Sequence, residues 1–190
     1  MIEIRWHSRG GQGAKTASLL LAEAMAAGGR YVQGFPEYGA EREGAPMLAF
    51  DRISDRPIRI HSGIEAPDIV VVLDPTLIGN VPVTAGLKED GWVVVNTGRD
   101  PEEMRRKLGL SPTQRLAVVD GSGISQRELG RPIPNTPVMA ALIRAAGLLE
   151  RERFRELAGE LFREKFKSKP EVVEGNLRSV ERAWEEVKIA

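Results

Sequence analysis

Apolar and polar positions change period several times along the chain. Residues 2–6 alternate, with Ile2, Ile4 and Trp6 against Glu3 and Arg5, and predict a half-buried strand. A glycine-rich break, residues 7–13, ends it. Residues 14–27 are apolar apart from Lys15, Thr16, Ser18 and Glu23, which predicts a helix buried on most faces and closed by Gly28-Gly29. Met47 to Ile53 and Ile58 to His61 read as short strands joined by Ser54-Asp55-Arg56-Pro57, a hairpin that implies antiparallel pairing.

Three later runs, Ile69 to Leu73, Trp92 to Val95 and Leu116 to Val119, show no polar alternation. Strands covered on both faces have this pattern. The predicted fold is therefore α/β, a three-layer sandwich with a mostly parallel mixed sheet flanked by helices and a C-terminal helical segment. Each run stops at a polar residue, Asp74, Asn96 and Asp120. Ligands of open α/β sheets bind at the carboxyl ends of strands, so these side chains are expected to line one crevice. From Asn135, expected to cap a helix starting near Pro137, the pattern is helical to the end, with Phe154, Leu157, Leu161 and Phe162, then Val173, Leu177, Val180, Trp184 and Val187, on apolar faces.

Composition narrows the function classes. The 190 residues carry 27 Lys plus Arg and 27 Asp plus Glu, a formal net charge of zero that offers no general attraction to nucleic acid or anionic lipid. No apolar run is long enough to span a membrane. The opening residues lack the pattern of a signal peptide, so the cytoplasm is the expected location. One domain over residues 1–190 is expected, as no linker, repeat or low-complexity tract appears. The chain has no cysteine, which leaves it without disulfides, thiol catalysis or cysteine-held clusters. The high Arg and Glu content, with Asn and Gln at four each, leans towards a heat-adapted source.

The first chemical candidate is Arg9-Gly10-Gly11-Gln12-Gly13-Ala14-Lys15-Thr16, a glycine loop between a strand and a helix. Its backbone N–H groups and helix start suit an anion, with Arg9 or Lys15 adding charge. The phosphate-loop pattern needs glycine at 9 and 14, and the dinucleotide fingerprint needs a small residue at 16, so neither is met. A tight turn packing the helix on the sheet is the alternative. The second candidate is the run Gly34 to Pro46, whose three glycines and two prolines break every period. Phe35 and Tyr38 beside Glu41 and Arg42 resemble interface composition; a solvated, charge-rich surface loop is the alternative, and a carboxylate metal site from Glu37, Glu41 and Glu43 a weaker one. His7 and His61 have no second ligand at a metal-binding spacing, and Asp120-Gly121-Ser122-Gly123 reads as a turn. Asn135 reads as a helix cap, with a ligand contact as the alternative.

Ile4-Arg5-Trp6-His7, Gly10-Gly11-Gln12-Gly13, the run Phe35 to Pro46 and Pro134-Asn135-Thr136-Pro137 together resemble the gamma subunit of 2-oxoacid:ferredoxin oxidoreductases, nearest to its stand-alone pyruvate-specific members. The resemblance covers almost the whole chain. It implies a subunit of an enzyme in which thiamine diphosphate, with magnesium, decarboxylates a 2-oxoacid, CoA takes the acyl group and ferredoxin takes the electrons. Alpha and beta subunits would hold the thiamine, and a ferredoxin-like delta subunit the iron–sulfur clusters. This chain would hold none of these and be inactive alone, with no catalytic residue and no metal ligand of its own.

Within that expectation, Arg9, Gly10, Gly11, Gln12, Gly13, Lys15, Thr16, Asp74, Asn96 and Asn135 are the expected CoA-binding set. Phe35, Glu37, Tyr38, Glu41, Arg42 and Pro46 are the expected interface with the catalytic subunits. A free-standing nucleotide-binding enzyme and a purely structural assembly module remain the alternatives, as do 2-oxoglutarate or branched-chain 2-oxoacids as substrate.

Overall fold

The structure, a computed structural model, describes residues 1–37 and 44–190. The strands are β1 (Ile2–Arg9), β2 (Tyr31–Pro36), β3 (Pro46–Ser54), β4 (Ile69–Val72), β5 (Trp92–Asn96), β6 (Arg115–Val119) and β7 (Lys188–Ile189). The helices are α1 (Ala14–Ala27), α2 (Pro101–Leu108), α3 (Gly121–Leu129), α4 (Asn135–Ala146), α5 (Arg151–Lys165) and α6 (Pro170–Glu186).

One sheet runs in the order β2-β3-β1-β4-β5-β6-β7. Its centre, β1, β4, β5 and β6, is parallel, as the unbroken apolar runs predict. Antiparallel strands flank it, β3 and β2 on one side and β7 on the other. The antiparallel pairing expected near residue 54 is therefore real but has other partners. Ile58 to His61 is not a strand, and β3 pairs instead with β1 and with β2. The last residues also depart from the helical expectation, since Lys188–Ile189 returns to pair with β6.

The two sides of the sheet differ. On one, Ile4, Trp6, Ile69, Val71 and Val94 meet α1, α4 and the C-terminal helices in a core that includes Leu21, Met139, Leu142, Phe154 and Phe162. On the other, Val70, Val72, Val93, Val95, Leu116 and Val118 are covered by Met104 and Leu108 of α2 and by Leu77, Ile78 and Val83. Helix α2 has clear terminal chemistry. Asp100 accepts from the N–H groups of Glu102 and Glu103, Pro101 opens the helix and Gly109 closes it. On the outer surface, Glu128 of α3 binds Arg178 at 2.7 Å and also Arg182, both from α6, and these contacts hold its carboxyl below the usual range, the Arg178 bond foremost.

A buried carboxyl ties β1, β3 and α1 together. Trp6 Nε1–H donates to Asp51 Oδ2 at 2.6 Å, and Ser18 Oγ lies 3.1 Å from Asp51 Oδ1 and 3.2 Å from the Phe50 carbonyl. Burial outweighs these two bonds and pushes the Asp51 carboxyl up to about 8. At neutral pH the protonated acid satisfies every partner: it donates to Ser18 Oγ, which donates to the Phe50 carbonyl.

The folded protein therefore holds a proton that the unfolded chain releases near 3.8. The associated stability is complete below that value and is lost as pH rises through about 8. Asp51→Asn can keep the same bonds without titrating. Melting temperature between about pH 6 and about pH 9 should fall more steeply for the natural chain than for Asp51→Asn, and parallel curves would refute the buried neutral acid.

Candidate functional site

At the carboxyl end of β1 the chain turns through Gly10 to Gly13 into α1. The loop is stitched from within. Gly10 N–H donates to the Ala45 carbonyl and Gln12 N–H to the Arg9 carbonyl, while Arg9 N–H donates to Gln12 Oε1 at 2.8 Å. Gln12 Nε2–H donates to Asp74 Oδ2 at 2.7 Å, and Arg9 Nε lies 3.2 Å from the same oxygen. Burial raises the Asp74 carboxyl, but its bonds from Thr76 and Gln12 and the charge of Arg9 outweigh burial and hold it below the usual range. Among the described residues, the N–H groups of Gly11, Gly13, Ala14 and Thr16 have no protein acceptor. These donors sit where the helix start adds partial positive charge.

Those donors border a cavity of about 1360 Å³, above the usual range of small-molecule sites. Gly10, Gly11, Gly13, Ala14, Lys15 and Thr16 form one part of its lining, and Lys15 is exposed. Met47, Leu48, Phe50, Ile64, Val81 and Pro82 give it an apolar part. Arg5 and His7, on the face of β1 opposite Ile4 and Trp6, also line it. Arg5 is 7% exposed, and its Nε–H donates to His7 Nε2 at 3.1 Å. Burial, with the Arg5 charge adding to it, pushes His7 down to about 4, so His7 is neutral and accepts that bond. The site has apolar walls, charged side chains of both signs (Arg5 and Lys15, Glu37 and Glu65) and a row of backbone donors at the glycine loop. It can bind an anionic, partly apolar ligand.

Residues 3–186 match the pyruvate ferredoxin/flavodoxin oxidoreductase family. The chain belongs to that family. It is 49% identical over 186 residues to pyruvate synthase subunit PorC of Thermotoga maritima, covering 98% of this chain and 94% of that protein. It is 47% identical over 189 residues to the common gamma subunit of the pyruvate/ketoisovalerate oxidoreductases of Pyrococcus furiosus, covering 100% and 98%. The crystal structure of the Thermotoga maritima pyruvate oxidoreductase subunit PORC superposes with a TM-score of 0.84 at 45% identity, over 100% of this chain and 98% of that one. The family expected from the glycine loop and the Phe35 to Pro46 run is therefore the family found, and the chain is an oxidoreductase subunit of the gamma type.

In this oxidoreductase subunit the expected binding residues do not all converge. Gly10, Gly11, Gly13, Lys15 and Thr16 line the cavity, but Arg9, Gln12, Asp74, Asn96 and Asn135 do not. The backbone donors of Gly10 and Gln12 are already used, which removes them from the anion-binding set. Asp74, Asn96 and Asp120, expected to share one crevice, do not line this cavity. Asn96 is buried and donates to the Leu73 carbonyl and to Ser122 Oγ, and Asp120 accepts from Gly123 N–H at the start of α3. Asn135 is the first residue of α4 rather than the residue before it, Pro134; its Oδ1 accepts from the first-turn N–H of Thr136 at 2.7 Å, and its amide packs against Gly13.

Of the expected interface residues, Tyr38, Glu41 and Arg42 lie outside the described residues. The run is not wholly a loop: Phe35 and Pro36 belong to β2 and Pro46 to β3. Phe35 packs on Phe50 with ring centroids 5.3 Å apart, while Glu37 and Pro46 are exposed. Glu41 and Glu43 of the alternative metal site are likewise outside the described residues. Among the described residues no group of three or more His, Cys, Asp or Glu can hold a metal, and no helix is long and apolar enough to cross a membrane. Sequence reasoning missed Arg5 and His7 as cavity residues. Their places on the polar side of an alternating strand were the available signal.

Gly13 is needed twice over. Its φ of +85° suits glycine, and a Cβ there would sit 2.8 Å from Asn135 Nδ2. Gly13→Ala should destabilise the protein by about 1–3 kcal/mol in urea unfolding. Adding Asn135→Ala should recover part of this by removing the amide while leaving the backbone strain. An unchanged midpoint for Gly13→Ala would contradict the close approach.

Proposed function

We propose that this chain, as one gamma-type domain over residues 1–190, is the gamma subunit of a pyruvate synthase working in the cytoplasm. The complex oxidises pyruvate with CoA to acetyl-CoA and carbon dioxide, passing two electrons to ferredoxin and releasing a proton. Alpha and beta subunits supply thiamine diphosphate and magnesium, which carry the decarboxylation chemistry, and a ferredoxin-like delta subunit supplies the iron–sulfur clusters. The part assigned to this chain is binding: the N–H groups of Gly11, Gly13, Ala14 and Thr16 face a CoA phosphate, with Lys15 adding charge. Arg9, engaged with Asp74, Thr76 and the Gly44 carbonyl, holds the loop in shape.

The observation that carries this reading is the set of unpaired donors at a helix start bordering a large, partly apolar cavity, in a member of a family of oxidoreductases. The pyruvate reading is supported by the names of the two relatives, one a pyruvate synthase subunit and the other a subunit common to pyruvate and ketoisovalerate oxidoreductases. Reconstitution from separately purified subunits tests the reading. Pyruvate- and CoA-dependent ferredoxin reduction should require this chain, and Lys15→Ala should raise the KM for CoA about tenfold with a smaller change in kcat. An unchanged KM in a normally assembled complex would leave only the assembly role.

The residues 37–46 we assign to the interface with the catalytic subunits. Arg42→Glu should weaken co-purification with them, as inverting an interfacial charge costs about 2–5 kcal/mol. Normal co-purification would count against that assignment.

A further inference from the structure

Two segments without helix or strand pairing to the sheet, 63–67 and 81–87, form a pad that walls the cavity with Ile64, Glu65, Val81, Pro82, Ala85 and Gly86. Backbone carbonyls in such segments have no ladder to join, so another donor must satisfy them. Arg5 is that donor. Its Nη1 lies 3.4 Å from the carbonyls of both Ile64 and Glu65, and its Nη2 3.1 Å from that of Val83 and within bonding distance of that of Ala85. With the bond to His7, every arm of the guanidinium is used, and it reaches from a central strand to both segments. Arg52 adds a second tether, donating to the Gly63 carbonyl at 3.2 Å.

The two segments are also pressed together. A Cβ at Gly86, whose φ is +72°, would fall 2.0 Å from the Glu65 carbonyl oxygen. Among the described residues Arg5 makes no ion pair, so its buried charge is solvated by carbonyl dipoles and a neutral imidazole. Burying a cation without a carboxylate is costly, and an apolar side chain could fill the same space. What an apolar side chain cannot do is hold four carbonyls from two segments at fixed positions beside a binding cavity.

We propose that Arg5 is a positioning residue for the ligand of this cavity: by fastening both segments of the pad to β1 it sets the cavity's width. The identity of that ligand rests on the CoA reading above, whereas the tethering does not.

The test uses the assembled complex carrying Arg5→Lys or, separately, Gly86→Ala. Lysine keeps the charge but replaces the planar fork with donors at one point, and a methyl at position 86 displaces the pad without touching Arg5. Both variants should raise the KM for CoA about 10- to 100-fold with kcat within about threefold. Both should also speed hydrogen exchange at amides 64–66 and 83–87 while β5 and α4 keep their protection.

Natural exchange of the pad in Arg5→Lys overturns the proposal, as does faster exchange with an unchanged KM for CoA in a complex whose KM for CoA is raised by Lys15→Ala. Loss of protection throughout the sheet overturns it too, because Arg5 would then be a general stability residue. Failure of the CoA reading has its own signature, a KM for CoA indifferent to Lys15→Ala. The exchange results for Arg5 are decided independently of it.

Discussion

The alternation of side chains along β1 is the constraint on which the rest of the structure depends. Successive residues of a strand point to opposite faces. Ile4 and Trp6 enter the helix-covered core, while Arg5 and His7 line the cavity. One strand thus anchors the fold and floors the site, and a shift of its register by one residue would exchange the two sets. Pairing on both sides fixes that register, with Trp6 opposite Ala49 of β3 and Val71 of β4. The Trp6–Asp51–Ser18 bonds lock the same strand to α1.

The glycine loop follows from where β1 ends. A parallel strand delivers the chain to the sheet's carboxyl edge, where α1 must turn back over the core side. That turn leaves helix-start donors unsatisfied by the helix itself. The local network sorts them: Arg9, Gln12 and Asp74 stiffen the turn, and four N–H groups of residues that border the cavity remain without a protein acceptor among the described residues. The wall beyond is irregular chain held by a side chain, which lets it be close enough to enclose a ligand and apolar enough to accept one.

The sequence was most informative where pattern and physics coincide. The runs Ile69 to Leu73, Trp92 to Val95 and Leu116 to Val119 are legible as central parallel strands because burial on both faces removes polar alternation. Strand β2 was not legible. Gly34 and Pro36 suppress the strand signal, and pairing with only one neighbour tolerates both. Ile58 to His61 had strand composition but could not pair with β3 as a hairpin, because β1 and β2 occupy both sides of β3.

Asn135 had the composition of a cap, yet its packing against Gly13 could be known only in three dimensions. Within the site the glycine loop was found and the pad was missed. Its residues carry no periodicity, and what unites them is a single arginine more than fifty residues away in the chain.

The central claim is that the unpaired donors of the glycine loop receive a CoA phosphate. Hydrogen exchange on the assembled complex, with and without saturating CoA, reads those amides directly. Slower exchange at Gly11, Gly13, Ala14 and Thr16 when CoA is present, with no change in α5 or α6, is the predicted result. Identical exchange at those four amides under conditions of full CoA-dependent turnover would contradict it.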